Sequence, residues 1–155
     1  MASLVLISIN SPLLAGLYEN NTLIKQYEIQ GHTSAALNSL FGDIFARNIS
    51  LDSIFYAKGP GRYSALKSTH IFLQTLNLTR GYTLFSTKSF YFNNGAPIHA
   101  FGENYFVQNG DEITLKHADD IQHLLLRQKD FCLPTHLKTQ DFGAQNAPLY
   151  ILPPV

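Results

Sequence analysis

Four residues carry the most legible chemistry: Gly59, Gly61, Arg62 and Lys67, in the run Gly59-Pro60-Gly61-Arg62-Tyr63-Ser64-Ala65-Leu66-Lys67. Glycine reaches backbone angles that other residues resist, and proline fixes its own φ and lacks an amide donor. A turn of this kind at the start of a helix leaves N–H groups free, and Arg62 and Lys67 add positive charge beside them. The same residues also make an ordinary strand-to-helix connection that needs glycine. The spacing fits neither a P-loop, which has four residues between its glycines and then Gly-Lys-Ser/Thr, nor the dinucleotide fingerprint. Gly59, Gly61, Arg62 and Lys67 are a candidate anion site, and nothing more specific.

The remaining reactive groups point away from catalysis. Two histidines four residues apart on a helix can share a metal. His32 is followed at that spacing by Ala36, and His70, His99, His117, His123 and His136 have no paired spacing. No metal or other cofactor is expected. Asp111-Glu112 falls in a turn, and Asp119-Asp120 falls near a helix start, where negative charge suits the dipole. Glu103 has no identifiable partner, and no Ser/His/Asp order stands out. Cys132 is the only cysteine, which forbids an internal disulfide; it reads as a small buried hydrophobe. No catalytic residue is assigned.

Composition narrows the classes further. Eleven basic and eleven acidic residues cancel, and charged residues make up 14% of the chain. That gives no basic face for direct nucleic-acid binding. Eleven Phe and eight Tyr instead suggest apolar surface for a partner to cover. Leu4 to Ile9 is apolar but strand-length, lacks a positive flank and ends at Asn10-Ser11-Pro12, so neither a signal peptide nor a membrane span is expected. A single cysteine suits a reducing compartment, and the expected location is cytoplasmic.

The elements that must position these residues read clearly in the first half. Leu4–Ile9 is a central strand by its continuous apolar character. Leu13–Tyr18 and Leu23–Ile29 follow, joined at Glu19-Asn20-Asn21-Thr22, where Asn tolerates positive φ. From Thr33 or Ser34 the period becomes helical, with Ala36, Leu37, Leu40, Phe41, Ile44 and Phe45 at i, i+3, i+4 spacing. Gly42 inside this helix permits close approach of another element. Ile54–Ala57 is a strand, Ser64 caps a second helix ending at Arg80-Gly81, and Tyr82–Phe85 is the next strand. The order βββαβαβ predicts an α/β chain with the half-domain layout of the actin/Hsp70-like (ASKHA) fold. A βββαβα N-terminal lobe is expected over residues 1–90 and a reduced α+β C-terminal lobe over 91–155. In the second half the expectations are a short helical turn at Lys88–Phe92, strands at Pro97–Phe101, Asn104–Gln108 and Ile113–Leu115, and a helix at Ala118–Lys129. Phe131–Leu133 reads as a strand, and Pro148–Leu152 as a strand or extended tail.

With this order in place, the chain resembles the TsaB (YeaZ) branch of the TsaD/Gcp-like family. The family's Gly-Pro-Gly-Ser-Phe-Thr-Gly-Leu-Arg motif corresponds to Gly59–Lys67, and its Ile-Asp-Thr to Ile9-Asn10-Ser11. His32-Thr33, the segment His99–Tyr105 and Pro148-Leu149-Tyr150-Ile151 match further family fragments in order. The resemblance implies a non-catalytic scaffold in synthesis of tRNA N6-threonylcarbamoyladenosine (t6A). Its partners would be a TsaD-like catalytic subunit and a TsaE-like ATPase, with tRNA contacted only indirectly. It implies pairing through helices 34–47 and 64–80, with TsaD or with a second copy as a homodimer. Leu37, Leu40, Phe41, Ile44, Ala65, Leu66, Thr69 and Leu73 are the partner-binding candidates; the stripe over 34–47 reads equally as core. Asn10 stands where ATP-using relatives carry Asp, a better ligand for phosphate-bound Mg²⁺. Arg62, Ala65, Lys67 and Thr69 replace Ser, Gly, Arg and Gly. The alternatives are a small ATP-binding phosphotransferase of the same fold and the peptidase activity sometimes attached to this family.

Overall fold

Strand β1 (Ala2–Ile7) is buried on both faces, and this fixes the layering of the molecule. In the computed structural model, which describes residues 1–126 and 130–151, it lies at the centre of a five-stranded sheet. The other strands are β2 (Leu13–Glu19), β3 (Thr22–Ile29), β4 (Leu51–Ala57) and β5 (Thr83–Thr87), in the order β3-β2-β1-β4-β5. The β1-β2 and β2-β3 pairs are antiparallel, whereas β1-β4 and β4-β5 are parallel. Antiparallel neighbours need only tight turns, and Asn20 and Asn21 supply one at φ 50° and 61°. Parallel neighbours need crossovers, and the helices α1 (Thr33–Ala46) and α2 (Tyr63–Arg80) provide them. The meander and the element order expected over the first half are therefore present.

Alternation along β1 divides the core in two. Leu4 and Leu6 meet α1 through Leu37, Leu40, Phe41 and Ile44, and α2 through Leu73 and Leu76. Val5 and Ile7 face the opposite way, with Phe55 and Ala57 of β4, and are covered by Phe90, Phe92, Ile98, Phe106 and Phe142. The second half thus supplies the cover for the face of the sheet that the helices leave bare. It contains a small antiparallel sheet of β6 (Ile98–Phe101), β7 (Asn104–Asn109) and β8 (Glu112–His117), in that order.

Helices α1 and α2 lie side by side and run the same way. Ser34 and Ser68 meet at their starts, the Phe41 and Phe72 rings pack tilted midway with centroids 5.3 Å apart, and the Arg80 guanidinium covers the Phe45 ring at 3.9 Å near their ends. Tyr27 Oη donates to Asp43 at 2.7 Å, and Arg47 Nε donates to the same carboxylate at 2.9 Å, tying α1 to the β3 edge. These two donors, Arg47 foremost, hold the Asp43 carboxyl below its ordinary range.

Several expectations need correction. Helix α2 starts at Tyr63, with Arg62 rather than Ser64 in the cap position, and no side chain caps it. The reason lies in the turn before it, where the Arg62 N–H is already committed to the Ile9 carbonyl at 3.0 Å. The segment 118–129 does not form one helix. Ala118–Asp120 is a 3₁₀ turn and α3 covers Gln122–Leu125, while residues 127–129 lie outside the described residues. Phe131–Leu133 is not a strand, although the Cys132 N–H donates to the Phe92 carbonyl at 2.9 Å. Cys132 itself is exposed, not buried. Of the expected terminal segment, 148–151 is extended without being a strand, and Leu152 lies outside the described residues.

Candidate functional site

The Gly59-Pro60-Gly61 turn is filled by the chain's own atoms. Gly59 adopts φ +123°, and a Cβ there would lie 2.8 Å from the Leu149 carbonyl oxygen. A Cβ on Gly61 would lie 2.5 Å from Ile9 Cβ and 3.0 Å from the Ile9 carbonyl. Both glycines are needed because other backbone crosses them at close range. Of the charged candidates, Arg62 and Lys67 are both exposed. The close approach of Leu149 and Ile9 is by itself a sufficient reason for both glycines.

Leu149 belongs to an extended strap, residues 143–150, that crosses the carboxyl ends of β4 and β5. Gly143 and Ser86 exchange both backbone hydrogen bonds, at 2.8 and 2.9 Å, and the Leu149 N–H donates to the Lys58 carbonyl at 2.8 Å. Asn146 holds the middle: its Nδ2 donates to the Leu84 carbonyl at 3.0 Å and its Oδ1 accepts from Ser86 Oγ at 2.7 Å. Tyr56 Oη donates to the Asn146 carbonyl at 3.1 Å, and burial pushes that phenol up to about 12, so it stays a donor across the physiological range. At its end the strap lays Tyr150 against Tyr63, ring centroids 4.9 Å apart. Asn146→Ala should lose two side-chain hydrogen bonds and cost about 1–3 kcal/mol, read as a lower denaturant midpoint with an unchanged slope.

The eight partner-binding candidates are all internal. Leu37, Leu40, Phe41, Ile44, Ala65, Leu66, Thr69 and Leu73 are each at most 4% exposed. Seven pack apolar groups into the two core clusters or between helix and sheet. Thr69 shares a 2.7 Å hydrogen bond with Ser8 beneath α2, so its hydroxyl serves a contact within the chain. Each candidate faces the sheet or the neighbouring helix, because the apolar stripe of a helix on a sheet is spent on the sheet first.

The outward face of the helix pair is made of other residues. Tyr63, Ile71 and Leu78 on α2 are 61%, 55% and 84% exposed. Ile71 and Leu78, seven residues apart, lie within about 20° of each other around the helix, while Tyr63 is turned about 80° from Ile71 and packs on Tyr150. On α1 the exposed residues are small: Ala35, Ser39, Gly42 and Ala46, with Asn38 among them. A Cβ on Gly42 would meet nothing within 4 Å, so no contact among the described residues explains the glycine. Its presence costs about 1 kcal/mol relative to alanine. Sequence reasoning missed Ile71 and Leu78 because they fall off the main apolar stripe of α2.

Elsewhere, His32 stands at the entrance to α1, as expected from its position before the helical period. Ala36, where a second metal ligand would stand, is buried in the core. Glu103 lies in the turn between β6 and β7, with a carboxylate oxygen 3.2 Å from His117 Nε2. Asn10 lines a cleft of about 820 Å³ between the β1–β2 connection and residues 130–133. No described helix is long and apolar enough to cross a membrane.

No family model matches the chain, and no curated protein matches it. Solved structures do. YeaZ from Pseudomonas aeruginosa matches with a TM-score of 0.58 at 12% identity, covering 74% of this chain and 63% of that one. An uncharacterized protein with similarity to the peptidase YeaZ from Pseudomonas aeruginosa matches with a TM-score of 0.51 at 13% identity, again covering 74% and 63%. The chain is therefore similar in fold to YeaZ, the resemblance its motifs carry. The match spans less than two thirds of either neighbour's length.

Proposed function

We propose that this chain is a non-catalytic scaffold of a t6A-synthesis assembly, pairing with a TsaD-like subunit through the outward face of α1 and α2. The observation that carries the reading is the exposed pair Ile71 and Leu78 on α2, together with Gly42 on the neighbouring α1, where no described residue lies within 4 Å of an added Cβ. A partner helix laid against small residues approaches closely and buries the neighbouring apolar pair. Two such helices on each side can bury the roughly 800 Å² per partner of a stable interface. The fold likeness to YeaZ and the ordered motifs support the choice of pathway.

In this proposal a TsaE-like ATPase joins the pair, tRNA touches the assembly through the catalytic subunit, and a second copy occupies the face when TsaD is absent. Residues 91–155 act as a reduced C-terminal lobe of the ASKHA layout, and the assembly is cytoplasmic. The chain contributes no catalytic residue. Size-exclusion with light scattering tests the pairing: a mixture with the TsaD-like subunit should give a one-to-one mass. Separate elution of the two proteins at concentrations well above micromolar would refute it.

A further inference from the structure

The anion chemistry sought at the glycine turn has a better place on the other side of the same loop. Lys58 follows the end of β4, immediately before Gly59, and Lys88 follows the end of β5. Both line a cleft of about 710 Å³ bounded by the carboxyl ends of these parallel strands, the start of the strap and the segment 90–95. In open parallel sheets the crevice outside the carboxyl ends is where small ligands lodge, and the volume falls within the range of small-molecule sites.

The charges in the cleft are arranged for an anion. Lys58 and Lys88 are half-buried, and neither makes an ion pair among the described residues. Lys58 Nζ donates one hydrogen to the Gln145 carbonyl at 2.9 Å, which aims it and leaves two donors over. The one carboxylate among the described lining residues, Asp141, accepts from Tyr91 Oη at 2.8 Å and is outnumbered by the two lysines. Thr87, Asn94 and Gln108 add neutral hydrogen-bonding groups, and Phe90 forms a buried apolar floor. Two ammonium groups that line one cleft, neither paired with a carboxylate among the described residues, suit a doubly charged tetrahedral anion, which offers each a charge-assisted hydrogen bond.

We infer that this cleft binds the phosphoryl group of a small phosphorylated molecule, with Lys58 and Lys88 as its charge partners. The site is independent of the pairing face, so it stands or falls separately from the scaffold role. Calorimetric titration of the purified chain with inorganic phosphate and pyrophosphate at low ionic strength tests it. One saturable site per chain is expected, weakened as salt is raised. Lys88→Gln, which touches no strap contact, should weaken binding about tenfold, and Lys58→Gln combined with it should weaken it further. Thermal melts of both variants establish that each is folded. Absence of saturation by either anion, or unchanged binding in the folded double variant, would overturn the assignment. An equal response to succinate would overturn its phosphoryl character.

Discussion

Gly61→Ala should strip the chain of about 3 kcal/mol of stability. The added Cβ would meet Ile9 at 2.5 Å from its Cβ and 3.0 Å from its carbonyl oxygen. Neither atom is the free end of a flexible side chain, so relief requires moving the end of β1 or the start of α2. Either movement lengthens the 3.0 Å bond from the Arg62 N–H to the Ile9 carbonyl, which docks the turn on the sheet. For a chain of this size the loss corresponds to a Tm lower by about 10 °C. Gly42→Ala is the matched control. Its Cβ meets nothing, so the isolated chain should gain up to about 1 kcal/mol from helix propensity. Thermal denaturation of the two variants should move in opposite directions. Equal stability of Gly61→Ala and the parent would mean that Ile9 does not seat on the turn.

The second large effect concerns pairing. Ile71→Asp with Leu78→Asp places two carboxylates at the exposed pair on α2, at positions 55% and 84% exposed. In the free chain both remain in water, so the melting temperature should change little. At an interface each would be a buried, unpaired charge, costing several kcal/mol apiece. The combined loss should weaken association by about a thousandfold or more and abolish co-elution with the TsaD-like subunit. Leu40→Asp would mislead as a probe, because Leu40 is fully buried and the variant should unfold before any partner is met. Circular dichroism separates the two cases: native signal for the α2 pair of substitutions, lost signal for Leu40→Asp. Retained pairing in the α2 variant would place the interface elsewhere.

These two predictions also mark what was legible in the sequence. The meander, both crossover helices and the second-half strands were readable, because continuous apolar character in Leu4–Ile9 and the change of period at Thr33 are side-chain patterns. The α1 stripe was readable as apolar but not as inward or outward. Leu37, Leu40, Phe41 and Ile44 are all taken up by the sheet and α2, and that neighbourhood is a product of topology. Ile71 and Leu78 had a signal of their own, an apolar pair at a spacing of seven, which a search for one stripe per helix passes over. The strap over 143–150 left almost no trace. It is held chiefly by backbone groups of Gly143, Gln145 and Leu149, and main-chain hydrogen bonds have no residue code. Asn146 and Tyr150 work through their side chains, and a lone asparagine in a polar tract is not distinctive. The glycine turn was found for its chemistry and explained by its packing, since a glycine required by an approaching backbone looks in sequence like one required by a phosphate.

The central claim is that this chain acts through its helix face and performs no chemistry. Its most direct test is reconstitution of threonylcarbamoyl transfer to tRNA with the TsaD-like and TsaE-like proteins, with and without this chain. The expected result is transfer only when the chain is present, and none when Ile71→Asp with Leu78→Asp replaces it in folded form. Undiminished transfer without the chain, or full activity with the folded double variant, would contradict the account.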